Sequence, residues 1–128
     1  MILLLDTSTP LCQLTIVDGK AQYDHQWQAD RQLAHGLLGY IIERMHAHDF
    51  SWKDINGIGV MQGPGSFTGL RIGLTVTNTI ADAEQLPIVG AIGDDWQSEV
   101  VARLRAGDND KIILPFYGSD ASITKPRK

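Results

Sequence analysis

"INGIGVMQGPGSFTGLRIGLTV", residues 55–76, decides the fold. "INGIGVM", residues 55–61, is a short apolar run of the kind that forms a buried strand. Gly63, Pro64, Gly65 and Ser66 then follow within four residues and demand a sharp turn. From about Ser66 to Glu84 the pattern is helical. Gly69, Gly73, Thr77 and Ala81 recur every four residues, which places four small side chains in one stripe along that helix. Another backbone can approach such a stripe closely. Leu70, Ile72, Leu74, Val76 and Ile80 surround it, so the helix is apolar or small nearly all round and must be covered on more than one side.

The flanking sequence supplies the rest of the lobe. "ILLL", residues 2–5, reads as a buried strand ending at Asp6, and "DTSTP" as a tight turn into a second strand at about 12–18. Asp18-Gly19 signals a two-residue hairpin loop, and a third strand over about 20–28 completes an antiparallel meander. From Asp30, the expected N-cap, Leu33, Leu37 and Ile41 with Ala34, Leu38, Ile42 and Met45 trace an amphipathic helix to about His48. After Pro87, "PIVGAI" is the next strand, a third helix spans about 94–106, and "KIILPFYG" is expected as a last strand. Three antiparallel strands followed by helix, strand, helix and strand give a mixed sheet covered by helices. The β-β-β-α-β-α-β order is the plan of a ribonuclease H-like or actin-like lobe. The expected organisation is one lobe over 1–118 and a polar, basic tail over 119–128.

Composition excludes several classes. The net charge of −4 argues against binding nucleic acid with the whole surface, because phosphate neutralisation needs clustered Lys and Arg. A single cysteine, Cys12, allows no internal disulfide and fits a cytoplasmic setting, where it serves as a small buried apolar residue. The opening "MILLLDTSTP" has neither a basic leader nor the length of a membrane span.

Candidate sites compete with plain structural readings. The glycine loop lacks the Lys of a P-loop and has the wrong spacing for a dinucleotide fold. It still leads into a helix N-terminus, so Gly63, Gly65 and Ser66 can either hold an anion on free N–H groups or simply turn and cap the helix. Ser66 is flanked two residues away by Pro64 and Thr68 rather than the glycines of a nucleophile elbow. Asp6, Thr7 and Ser8 stand where a strand-end carboxylate and hydroxyls can meet a nucleotide, or where they merely form a turn. His25, His35, His46 and His48 include no i, i+4 pair of the kind that helical metal sites use, and no metal is expected.

"LLLDTST", "LAHGLLGYI", "DINGIGVMQGPGSFTGLRIGLTV" and "LPIVGAI" together resemble the TsaB family, also known as YeaZ, over about residues 1–93; "GPGSFTGLRIG" is the most specific run. The resemblance implies an actin-like ATPase fold and a place in making N6-threonylcarbamoyladenosine at position 37 of tRNA. It further implies a non-catalytic scaffold that pairs with a TsaD-like catalytic subunit, joined by a TsaE-like ATPase, with tRNA met only through the complex. In the first helix His35 has no second histidine four residues away, where catalytic relatives carry a histidine pair. No cofactor of its own is implied; ATP or ADP would sit at a partner interface. Pairing in the family runs through the first two helices, as does homodimer formation, which maps here to Leu33, His35, Leu38 and Ile42 and to Leu70, Gly73, Leu74 and Thr77. Family members continue for about another lobe, so this chain is expected to be a short form lacking most of it. The tail's Lys125, Arg127 and Lys128 either touch tRNA phosphates or are simply solvated. Two other readings stay open, a nucleotide-binding regulatory module and a glycoprotease-like hydrolase.

Overall fold

The computed structural model describes residues 1–117. The expected tail over 119–128, with Lys125, Arg127 and Lys128, lies outside the described residues.

Strands β1 (Ile2–Asp6), β2 (Leu11–Asp18) and β3 (Ala21–Gln28) form the meander, and β4 (Gly57–Gly63) and β5 (Ile88–Ile92) extend it on the other side of β1. The sheet order is β3-β2-β1-β4-β5, with β1–β2 and β2–β3 antiparallel and β1–β4 and β4–β5 parallel. This is the ribonuclease H-like, actin-like plan that the element order predicts. Asp18 pairs with Ala21, so the hairpin loop is Gly19-Lys20, with Gly19 at φ +61.

β1 is buried on both faces, and that is why it reads as an unbroken apolar run. Leu3 and Leu5 join Leu14, Ile16, Ile58, Val60 and Ile88 beneath helices α1 (Leu33–Ala47) and α2 (Phe67–Glu84). Ile2 and Leu4 point the other way, with Val89 and Ala91, against Trp96 and Val100 of α3 (Trp96–Arg105). Gly57 and Gly59 of β4 explain how α3 comes so close. A Cβ on Gly57 would lie 2.9 Å from Leu104, and one on Gly59 would lie 2.5 Å from Val100. Gly36 does the same for α1, whose backbone lies against the Trp27 ring, which in turn stacks on Tyr40 at 4.8 Å.

Two expectations are corrected. Asp30 does not cap α1: it sits at φ +50 in a 3-10 turn (Asp30–Gln32), and its carboxylate accepts from Gln28 Nε2 at 3.0 Å. "KIILPFYG" is not a sixth strand over its described residues. The outer edge of β5 is already taken, because Ile88 N–H donates to Asn109 Oδ1 and Gly90 N–H to Asp110 Oδ2. Residues 113–117 instead run without regular secondary structure, held by side-chain amides and by the Phe116 N–H, which donates to the Gln62 carbonyl at 2.9 Å. Asn78 donates to the Ile113 carbonyl and accepts from its N–H, both at 2.9 Å, and Gln62 Nε2 donates to the Leu114 carbonyl.

Arg103 closes the α3 side, reaching Asp110 Oδ1 at 2.5 Å, Asp108 at 2.9 Å and the Gly90 carbonyl at 3.2 Å. The Arg103 guanidinium, aided by the Gly90 N–H, holds the Asp110 carboxyl below its usual range against the opposing effect of burial. A depressed carboxylate contributes stability that is present above its unfolded pKa, here 3.8, and is lost as pH falls through the folded value. Urea midpoints measured between pH 3 and 6 are therefore expected to fall on the acid side less steeply in Asp110→Asn than in the parent chain. Equal acid slopes would remove Asp110 from the account.

Candidate functional site

The structure brings the turn of Asp6, Thr7 and Ser8 together with Gly65 and Ser66 and locks the two loops to each other, while Gly63 lies against Phe116. Asp6 Oδ1 accepts from the Ser8 N–H at 2.8 Å and the Ser8 hydroxyl at 2.6 Å, which makes it the turn-former of "DTSTP". Ser66 N–H donates to the Ser8 carbonyl at 2.7 Å. Thr7 Oγ1 donates to the Gly69 carbonyl at 2.8 Å, and Ser66 Oγ accepts the Gly69 N–H at 3.2 Å as the N-cap of α2. Each of these hydroxyls is thus engaged within the chain.

The glycines are the consequence of that closeness. A Cβ on Gly65 would lie 2.5 Å from Ser8, one on Gly69 would meet the Thr7 carbonyl, and one on Gly73 would meet Thr7 Oγ1. Gly63, at φ +128, has the Phe116 carbonyl where a side chain would be. Beside this clamp Cys12 is buried, and burial, with the Asp6 charge adding to it, pushes its thiol up to about 11. That matches the inert apolar role expected for it.

The small-residue stripe therefore faces inward, which corrects the expected pairing surface on α2. Leu70 and Leu74 are buried, as are Gly73 and Thr77, the latter donating to the Gly73 carbonyl at 2.8 Å. Thr7, just after β1, covers the stripe with its carbonyl at Gly69 and its side chain at Gly73, and the burial of these four residues leaves none of them available to another molecule. On α1, Leu33 is likewise buried, while His35 and Leu38 are exposed and Ile42 is half-buried.

A different set lines the outer side. Phe67, Arg71, Thr75 and Thr79 are all exposed and share the four-residue spacing of the stripe, offset by two residues. Two residues turn a helix by about 200°, so this second stripe stands opposite the first. With Ala34 of α1 and the half-buried Ile72 and Val76, Phe67, Thr68, Arg71 and Thr75 line a groove of about 390 Å³. Leu38, at 47 % exposure, and Phe67, at 56 %, are large apolar side chains left in water on these helices. Phe67 stacks on Tyr117 at 4.9 Å, and the Arg71 guanidinium lies over the Phe67 ring, 5.1 Å from its centre. The spacing was visible in the sequence; which of two equally spaced stripes faces out was not.

One juxtaposition has no sequence signal at all. His25 on β3 and His48 at the C-cap of α1 stand 23 residues apart, yet their Nε2 atoms are 3.0 Å from each other. Burial, then the neighbouring His48 and Arg44, lower the pKa of His25 from its usual 6.5, with Asp24 opposing. Among the described residues no group of three or more His, Cys, Asp or Glu is placed to hold a metal ion, and no helix is long and apolar enough to cross a membrane.

A family model described as TsaD, tRNA N6-adenosine threonylcarbamoyltransferase, matches residues 27–91, about half of the chain. The tRNA threonylcarbamoyladenosine biosynthesis protein TsaB of Escherichia coli K12 is 30 % identical over 89 residues, 70 % of this chain and 38 % of that protein. TsaB of Buchnera aphidicola subsp. Baizongia pistaciae is 34 % identical over 88 residues, 69 % of this chain and 40 % of that one. A crystal structure from Pseudomonas aeruginosa, described as similar to the peptidase YeaZ, superposes with a TM-score of 0.67 at 28 % identity, covering 71 % of this chain and 42 % of the other. The chain thus spans about two-fifths of the length of the curated relatives it matches. The superposition and these sequence matches agree, and the chain belongs to the TsaB (YeaZ) family, within the wider group that the TsaD model describes.

Proposed function

We propose that this chain is a non-catalytic pairing subunit in the formation of N6-threonylcarbamoyladenosine at position 37 of tRNA, docking a TsaD-like catalytic subunit through the outer faces of α1 and α2. The observation that carries the reading is the apolar outer face. Leu38, Phe67, Ile72 and Val76 lie on or beside it, α2 has no charged residue between Arg71 and Asp82, and α1 has no Asp, Glu, Lys or Arg before Glu43. Exposed apolar ground of this kind marks a protein-binding surface. Membership of the TsaB family supports the identity of the partner, and the names of the relatives support the pathway.

The surface differs from the one the resemblance implied: His35, Leu38 and Ile42 of α1 stay in it, and Phe67, Arg71, Ile72, Thr75 and Val76 replace the buried residues of α2. In this reading a TsaE-like ATPase completes the assembly, any ATP or ADP binds at a partner interface, tRNA is met only through the complex, and the setting is the cytoplasm. A homodimer through the same face is expected when the partner is absent.

Co-expression with the TsaD-like protein of the same organism, followed by size-exclusion chromatography with light scattering, tests the reading. A co-eluting heterodimer is the expected result. Separate elution of the two proteins at tens of micromolar, about the concentration at which a weak specific interface already associates, would overturn it.

A further inference from the structure

We propose that His25 and His48 chelate a divalent late transition-metal ion, copper(II) or nickel(II), through their two Nε2 atoms. The spacing carries the proposal. With metal–nitrogen bonds of about 2.0–2.1 Å, nitrogens 3.0 Å apart subtend about 94° at a shared ion. That is close to the right angle between neighbouring ligands of a tetragonal site, the geometry of copper(II) and nickel(II) with nitrogen and oxygen donors. A tetrahedral zinc site would need the nitrogens at about 3.3 Å, so zinc fits less well without movement of the rings.

Both rings are held in place before any ion arrives. His25 sits on β3, paired with β2 along its whole length, opposite Leu14. His48 closes α1, its N–H donating to the Met45 carbonyl at 3.0 Å, and its ring packs against Tyr23, 4.5 Å away, and Phe50, 5.6 Å away. Both residues are half-buried, so water reaches the pair and supplies the remaining ligands.

Without an ion, one imidazole donates its Nε2–H to the lone pair of the other. Chelation replaces that hydrogen bond with two metal–nitrogen bonds. The donor ring's proton moves through water to its own Nδ1, both rings stay neutral, and no oxidant or reductant takes part. Two charged neighbours act on the ion in opposite senses: Arg44 of α1 repels it and Asp24 of β3 attracts it.

The test is calorimetry of the untagged chain with nickel(II) chloride, alongside NMR of the histidine rings. One equivalent is expected to bind, with the His25 and His48 ring signals broadening before those of His35 and His46. His25→Ala and His48→Ala are each expected to weaken binding by at least about tenfold, the lower end of what even outer-shell partners of a metal contribute. Arg44→Gln should tighten it, and a His35→Ala, His46→Ala double variant should leave it unchanged. Absence of binding to the parent chain overturns the proposal, as does unchanged affinity in folded His25→Ala and His48→Ala. The ring signals of the parent chain decide the matter if either variant fails to fold.

Discussion

Gly73→Ala is expected to destabilise the chain by about 3 kcal/mol, at or beyond the upper end of what overpacking a close contact usually costs. Exchanging Gly for Ala inside a helix ordinarily stabilises it by about 1 kcal/mol, so a loss here would reverse the intrinsic preference. The reversal follows from the β1 end. The new methyl would occupy the place of Thr7 Oγ1, with Thr7 Cβ and Cγ2 each only 3.0 Å away. Thr7 cannot swing aside freely, because its hydroxyl donates to the Gly69 carbonyl and the residue is buried. Either α2 moves off the sheet or β1 bends. Urea unfolding of Gly73→Ala in the parent and in a Thr7→Ala background checks this. The contact accounts for the effect only if the cost of the Gly73 substitution shrinks when Thr7 is truncated, since coupling of that kind identifies residues in direct contact. An undiminished cost would place the cause elsewhere.

Leu38→Asp and Thr75→Arg are expected to abolish pairing with a TsaD-like subunit under conditions where the parent chain pairs, each weakening it by roughly 2 kcal/mol or more, about thirtyfold. Leu38 and Thr75 are exposed, so neither substitution should move the urea midpoint appreciably. Aspartate at 38 replaces an exposed apolar side chain of α1 with an unpaired carboxylate, and arginine at 75 fills the groove between α1 and α2 with a charged side chain. Light scattering and calorimetry with the partner, beside urea unfolding of each variant, provide the two readouts. Leu74→Ala is the contrasting variant: Leu74 is buried, so its substitution is expected to lower stability by about 2–5 kcal/mol. Full binding by both surface variants would remove this face from the proposed interface.

These two outcomes separate roles that the small-residue stripe had merged. Of the stripe Gly69, Gly73, Thr77 and Ala81, Gly69 has another backbone against it, the Thr7 carbonyl, and Gly73 has the Thr7 side chain. Thr7, the residue after β1, belongs to the same chain. Periodicity reports that a helix has a close-packing face and cannot name its neighbour. The misplacement of "KIILPFYG" has a related cause. Its apolar pattern suits a strand, but Asn109 and Asp110, three and two residues before Ile112, occupy the N–H groups of β5 with which a sixth strand would pair. Side-chain capture of a sheet edge leaves no period in the sequence.

What the sequence determined by itself is the architecture. An apolar strand at residues 2–5, a hairpin, an amphipathic helix and the strand–turn–helix of residues 55–76 rest on local chemistry: period, turn residues and a serine cap. Each of these works between residues close in the chain, so each is readable along it. Only the tertiary structure decided that Asp6, Thr7 and Ser8 are bound to the glycine loop, that Leu70, Gly73, Leu74 and Thr77 face the sheet, and that His25 meets His48. Those arrangements depend on contacts between residues 23 to 66 positions apart. Such contacts exist only once the sheet has set the distance between its strands and the helices above them.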